Sequence, residues 1–245
     1  MPDITVYTVI LGVYDNLRAP TVIEPGVRYV CVTDQPLRCY PWEIQPAWMP
    51  YESAGRNSRI PKILSHLHFD SKYTIYHDGH FRLTAEPSRI IKKHLANHDL
   101  ALYRHPCRKS IYKEMEICKR EGIGYGEAME KQVDNYRRCG IRDNLWSGGF
   151  IVRRNTTHVQ NFNEYWWNEF INGCPRDQIA LPMAQLLANI PIYTIDADVL
   201  SDKRWIELMW HAAFVNHGDN ASFEEERKVR ADKFRKLKEL CHPIS

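Results

Sequence analysis

The residues best suited to chemistry lie in Tyr73-Thr-Ile-Tyr-His-Asp-Gly-His-Phe81. A strand rises about 3.3 Å per residue and points alternate side chains to opposite faces, which puts Asp78 and His80 on one face. From there they could reach one cation or one pair of phosphates. Gly79 lets a ligand approach the backbone. A hard divalent ion takes oxygen ligands, and an Asp with a diphosphate supplies several; a His ligand suits manganese better than magnesium. The plainer alternative is an Asp-Gly turn with a surface histidine.

Arg56, Arg59 and Lys62 form a second cluster. Arg59 and Lys62 are three residues apart on one helix face, where cations would neutralise a departing diphosphate or simply be solvated. In Cys174-Pro-Arg-Asp-Gln178, Asp177 precedes an apolar helical run. It could cap that helix, or present its carboxylate as a base or sugar ligand beside a reacting hydroxyl. Of the eleven histidines, His105 stands before Pro106 at a strand end and is a cleft candidate, while His217 could be a late metal ligand. Gly148 and Gly149 sit at a strand entrance, where backbone amides could meet a sugar.

These residues must be positioned by alternating elements. Ile4 to Leu11, Arg28 to Thr33, Lys72 to Tyr76, Leu100 to Tyr103 and Gly148 to Val152 read as strands, rich in β-branched and aromatic residues. Helical spacing marks Ser58 to Phe69, with Pro61 placed in a first turn, and a helix opened by Glu86-Pro87-Ser88. Further helices span Ser110 to Arg138, broken by the glycines near Gly122 to Gly126, then Thr156 to Ile171 and Gln178 to Ala188. The alternation predicts an α/β fold with a largely parallel sheet flanked by helices. Such sheets bind ligands at the carboxyl ends of their strands, where Asp78 falls.

With 245 residues, 44% hydrophobic and 26% charged, the chain is sized for one large globular domain, which excludes disordered, collagen-like and coiled-coil classes. The longest apolar stretch, Ile4 to Tyr14, is too short to cross a bilayer, so no membrane insertion is expected. The start shows no secretory pattern, and a cytoplasmic location is expected. Seven cysteines without a Cys-x-x-Cys pair point to reduced thiols and not to a disulfide framework or a zinc knuckle. The formal net charge of +3 permits an anionic ligand without demanding nucleic acid. From Ser222 onward the chain is dense in charge, with one narrow apolar stripe through Phe234, Leu237 and Cys241, and reads as a solvated helix.

Taken in order, the chain resembles a glycosyltransferase-like family long labelled a domain of unknown function, whose plant members carry names tied to mucilage polysaccharide synthesis and to an alkaline ceramidase. The resemblance rests on Arg59-x-x-Lys62-x-x-x-His66-x-x-Phe69, Tyr73-x-Ile75-x-x-Asp78-Gly79 with Leu83 and Pro87, and His105-Pro106-x-Arg108 with Tyr112 and Glu114. It continues through Gln132, Tyr136, Gly140, Phe150 to Arg153, Trp167-x-Glu169 and Arg176-Asp177-Gln178. It implies a GT-A-like, Rossmann-related fold in a single domain over residues 1–221, with a nucleotide-binding half at about 1–105, an acceptor half at about 106–221, and the charged helix at 222–245.

It further implies that a sugar moves from a nucleotide-diphosphate sugar to a hydroxyl, assisted by a divalent metal. Asp78 would be the metal carboxylate, with His80 where an Asp-x-Asp motif has its second acid. Arg56, Arg59 and Lys62 would face the donor phosphates and Asp34 the ribose or base; Gly148, Gly149 and Gln178 would line the donor, and Asp177 would lie by the donor sugar and acceptor hydroxyl. Lacking the membrane anchor and stalk of a Golgi-resident plant enzyme, the chain is expected to be bacterial or viral. Its acceptor would be a glycan, a small molecule or a hydroxymethylated base in DNA. Two alternatives stand beside this: a metal-dependent lipid amidase using His66, His68 and His80, and a non-catalytic nucleotide-sugar binder.

Overall fold

A computed structural model describes residues 3–12, 15–142 and 144–209. The charged segment 222–245 and His217 lie outside the described residues. The centre is a seven-stranded sheet in the order β3-β2-β1-β4-β7-β6-β8. Its strands are β1 (Ile4–Ile10), β2 (Arg28–Thr33), β3 (Glu43–Pro46), β4 (Tyr73–His77), β6 (Leu100–Arg104), β7 (Trp146–Arg154) and β8 (Ile192–Ile195). The parallel pairs are β1 with β2, β1 with β4, β2 with β3, and β6 with β8. Strand β7 runs antiparallel to both of its neighbours. The fold is therefore mixed α/β with a mostly parallel sheet, as expected, and the short strands β3 and β8 extend it at both edges. A separate ribbon pairs β5 (Phe81–Leu83) with β9 (Ile206–Leu208).

The reversal of β7 matters for everything that follows. Its first residues lie at the same sheet edge as the carboxyl ends of β4 and β6: Phe150 is in register with His77, and Trp146 with Arg104. A strand that ran the other way would bring Arg153 to that edge and carry the two glycines to the opposite end.

Alternate strand residues feed two apolar layers, as a period of two requires. Tyr7, Val30, Tyr76, Leu102 and Ile151 pack with helices α1 (Ala54–Ile63), α6 (Thr157–Ile171) and α7 (Asp177–Ala188). Val6, Cys31, Ile75, Ala101 and Phe150 face α3 (Pro87–His94) and the small ribbon. A third cluster joins α4 (Ile111–Glu121) and α5 (Glu127–Arg138) to the start of α7. Ser110 and Thr156 cap α4 and α6 with their hydroxyls, and Gly122 ends α4 in the left-handed conformation at φ 65°.

Helix α1 starts at Ala54, capped by the Ser53 hydroxyl, four residues ahead of the predicted Ser58. Pro61 consequently falls in the last turn, not the first. Without an amide hydrogen it leaves the Asn57 carbonyl without its helical donor; α1 ends at Ile63, and the chain restarts as the one-turn α2 (Ser65–His68). The freed carbonyl of Lys62 is taken by two buried donors, the Tyr7 hydroxyl at 3.2 Å and Arg153 Nη2 at 3.1 Å. Arg153 is 1% exposed and lies over the Trp166 ring. Cys31, Cys39, Cys118, Cys139 and Cys174 are free thiols, whereas Cys107 is disulfide-bonded, so uniformly reduced thiols do not hold at that position.

Because Arg153 and Tyr7 fasten the helix end that carries Lys62, truncation there should loosen both core and site. Arg153→Ala is expected to cost about 3 kcal/mol, from a lost buried charged hydrogen-bond set and the space left behind. Urea unfolding of the two proteins, compared at equal m-value, measures it.

Candidate functional site

Asp78 follows β4 at the sheet edge. Its amide donates to the Gly149 carbonyl at 2.9 Å, and its carbonyl accepts from Phe81 N at 2.9 Å, closing a turn around Gly79 and His80. The strand therefore stops before Asp78, and the shared strand face predicted for Asp78 and His80 is not how they meet; the turn brings them together. Gly79 is also used differently from expectation, since a Cβ there would lie 2.8 Å from Asp15 Oδ2. What approaches this glycine is Asp15, from the segment after β1.

Asp78 Oδ1 accepts from the Tyr76 hydroxyl at 2.5 Å and lies 3.6 Å from Lys62 Nζ. Lys62 Nζ also lies 2.7 Å from Asp177 Oδ2, and Arg59 Nε is 3.7 Å from the same oxygen. Helix α1 thus delivers the two cations from adjacent turns of one face, and α7 delivers Asp177 from its first position. Asp177 is not an N-cap: Arg176 occupies that position and Asp177 is the first-turn acid, favoured there by the helix dipole. Lys62 and Asp177 side chains are each 5% exposed, while those of Arg59 and Asp78 are 30% exposed. The buried pair is accordingly internal to the protein, and Arg59 and Asp78 are the partners that face outward.

Burial alone would disfavour both carboxylates in ionised form. For Asp177 the Lys62 and Arg59 cations overcome it and hold the carboxyl well below the usual carboxylate range. For Asp78 the desolvation cost is outweighed by Lys62, His80, the Tyr76 hydroxyl and Arg59, so its pKa is also lowered. Tyr76 moves the other way, raised by burial and then by the charge of Asp78. The cluster is therefore a fixed alternation of charge: Asp78, Lys62, Asp177, Arg59.

The expected glycines line this cluster from β7. A Cβ at Gly148 would stand 3.3 Å from Lys62 Nζ and 3.5 Å from Asp177 Oδ2. At Gly149 it would stand 2.9 Å from Phe81 Cε2 and 3.0 Å from Asp78 Oδ2. A side chain at Gly149 would press on Phe81 and Asp78, and one at Gly148 would crowd the Lys62 ammonium. Among the described residues no three His, Cys, Asp or Glu side chains converge as a metal cage. Asp78 Oδ2, turned away from Lys62's closer contact, and the half-exposed His80 offer one oxygen and one imidazole, a donor set that fits manganese when the remaining ligands come from a diphosphate.

Other predicted residues are spread around this centre. Asp34, at the end of β2, accepts the Gly12 amide with both carboxylate oxygens at 3.0 Å, tying β1 to β2 at the same edge. Arg56 is half-exposed in the first turn of α1 and forms no ion pair among the described residues. Gln178 Oε1 accepts from Arg176 Nη2 at 2.9 Å. His105 lies in a neighbouring cluster: its Nδ1 accepts the amides of Cys107 and Arg108 at 3.2 Å, and Arg108 Nη1 stands 3.0 Å from Nε2. Burial and Arg108 push it down to about 4, so it is neutral near pH 7. Tyr76 and Asp15 were not anticipated. The spacing Tyr76-x-Asp78 is a period-two signal that could have identified the first; nothing local points to the second.

These shifts fix how stability answers acid. His77 and His105 are each pushed from 6.5 to about 4, chiefly by burial, so between those values the unfolded chain binds more protons and stability falls as pH drops. Asp177, depressed below its unfolded value, contributes stability that is full above about pH 4 and is lost only as pH falls further. Thermal unfolding from about pH 7 to about pH 3 should show loss beginning near 6.5, with His105→Gln flattening the upper limb and Asp177→Asn the lower.

The family model described as "TOD1/MUCI70, glycosyltransferase-like domain" matches residues 42–195, a span containing Lys62, Asp78, Gly148, Gly149 and Asp177. Over 145 residues the chain is 29% identical to the "Probable hexosyltransferase MUCI70" of Arabidopsis thaliana, covering 54% of this chain and 25% of the relative. The chain thus spans about a quarter of that relative's length, and a plant relative lends no support to the expected bacterial or viral source. Among the described residues no helix is long and apolar enough to cross a membrane. With the matched residues running from Trp42 to Ile195 and enclosing the whole charged cluster, the chain belongs to the TOD1/MUCI70 glycosyltransferase-like domain family.

Proposed function

We propose that this chain is a GT-A type glycosyltransferase that moves a sugar from a nucleotide-diphosphate sugar to a hydroxyl acceptor. The observation that carries the proposal is the alternating cluster of Asp78, Lys62, Asp177 and Arg59 at the carboxyl edge of the sheet, opened by Gly148 and Gly149. Open α/β sheets bind nucleotides at this edge.

Arg59 binds the donor phosphates: its side chain is part-exposed, while its Nε faces Asp177 from the inner side. Lys62, buried between two acids, holds Asp78 and Asp177 at fixed separation and lends its charge from behind. Asp78 and His80 would hold a divalent ion, which supplies charge neutralisation to the departing diphosphate. Asp34 meets the ribose or base from the end of β2. Asp177, held ionised beside Lys62 and Arg59 where Gly148 opens the cluster, orients the donor sugar or serves the acceptor hydroxyl as base. The acceptor is a glycan or small molecule, with modified DNA a further candidate.

The lipid amidase is not favoured. His66 Nε2 lies 3.0 Å from Glu164 and its Nδ1 lies 3.2 Å from Asn163, both on α6, far along the chain from the turn that holds His80. Among the described residues no three His, Cys, Asp or Glu side chains form a group that could hold a metal ion, so a histidine-held water has no support.

UDP-, GDP- and ADP-linked sugars, each with and without manganese, should include at least one that raises the melting temperature; a ligand at 100 times its Kd adds about 2.7 kcal/mol. Arg59→Ala should abolish that shift, and Asp78→Asn should lower transfer by about 100-fold or more. A panel in which no nucleotide sugar alters the melting temperature would remove the proposal's support.

A further inference from the structure

Next to the charged cluster lies a second one that the proposed chemistry leaves unused. Glu114, on α4, is 1% exposed. Its Oε1 accepts from Arg176 Nη2 at 2.6 Å, its Oε2 lies 2.9 Å from Arg108 Nη1, and the Cys118 thiol donates to it at 3.6 Å. A buried carboxylate between two guanidinium groups is an expensive way to join elements, because apolar side chains of similar volume generally serve stability as well. The three side chains come from α4, the loop before it, and the residue that opens α7.

That last residue is what gives the arrangement its meaning. Arg176 immediately precedes Asp177, and its guanidinium reaches both Glu114 and Gln178 Oε1. The positive charge of Arg176 acts on Asp177 and is felt by Arg59 as well. The approach to α7 is fixed elsewhere by backbone contacts: Gln132 Oε1 accepts the Cys174 amide at 2.9 Å, and Trp166 Nε1 donates to the Asp177 carbonyl at 2.8 Å. The helix start therefore does not need an ion triad to stay in place. What remains undetermined without Glu114 is where the Arg176 guanidinium goes, and the nearest competing anion is Asp177.

We propose that Glu114 is a positioning residue that holds Arg176 away from Asp177, so that the Asp177 carboxylate stays with Lys62 and Arg59 and the outward-facing members of the cluster keep their geometry. The inference rests on the proposed role of that cluster toward the donor. Arg108 completes the hold from the other side, ion-paired with Oε2 at 2.9 Å, and Glu114 is buried away from the sheet edge's exposed members.

Glu114→Gln removes the charge and keeps the shape. In its ligand-free crystal structure Arg176 should move within about 4 Å of an Asp177 oxygen, the ion-pair range. Turnover by folded Glu114→Gln should fall by about 10-fold or more, and adding Arg176→Gln should restore it to the level of Arg176→Gln alone, a coupling that independent sites do not give. A brace that only stabilised the fold would lower the melting temperature without that recovery. If Glu114→Gln does not fold, Glu114→Met, also uncharged and of similar length, replaces it in both arms. Arg176 remaining apart from Asp177, or a double variant no better than Glu114→Gln, would overturn the inference. The crystallographic arm decides it even if no nucleotide sugar is turned over, so failure of the glycosyltransferase proposal is told apart from failure of this one.

Discussion

The site is organised by one ammonium group. Lys62 is buried between Asp78 and Asp177, and the two acids reach it from elements that share no local sequence. Two carboxylates gathered at a sheet edge without a cation would repel, and one would take up a proton to relieve it. With Lys62 between them both remain ionised, and Asp177 stays so even though burial works against it. Removing the lysine would alter the charge state of the whole edge, beyond the loss of one contact.

Delivering that ammonium places demands on the scaffold well away from the edge. Lys62 sits in the last turn of α1, where its carbonyl is left without an intrahelical partner. Arg153 and Tyr7, from two strands of the sheet, supply the donors. The same strand that carries Arg153 carries Gly148 and Gly149 at its other end, so β7 fastens the lysine's backbone from below and makes room for its head above. Its antiparallel direction is what lets one strand do both.

Much of this was legible in the sequence because it is local. Strands β1, β2 and β4 announce themselves by β-branched and aromatic residues, and the cations of α1 by their three-residue spacing. Asp78 was found because it follows a strand, the place where open sheets bind ligands. The misreadings have physical causes. β3 is a four-residue edge strand with three exposed positions, so it has no alternation of burial to detect. The extension of strand periodicity to His80 failed because a turn intervenes at Gly79, and Asp177 looked like a cap because both capping and first-turn positions favour the same acid. The direction of β7 and the partners of Glu114 depend on contacts far apart in the chain. Arg153 was quoted only as part of a strand, since a buried arginine with no nearby acid has no sequence signal distinct from a surface one.

The charges at the edge also divide the work that a transferase would need. Groups that must stay ionised are buried and paired, as with Asp177 and Lys62 at 5% exposure each. Groups that would meet a ligand are the part-exposed members, Arg59 and Asp78, whose side chains are each 30% exposed. An inner pair that does not change partners gives the outer pair a fixed geometry, which is the form of preorganisation that electrostatic stabilisation of a leaving group requires. Asp177 is kept ionised by Lys62 and Arg59 against the cost of its burial, and the neutral His105 is engaged by its own loop and by Arg108.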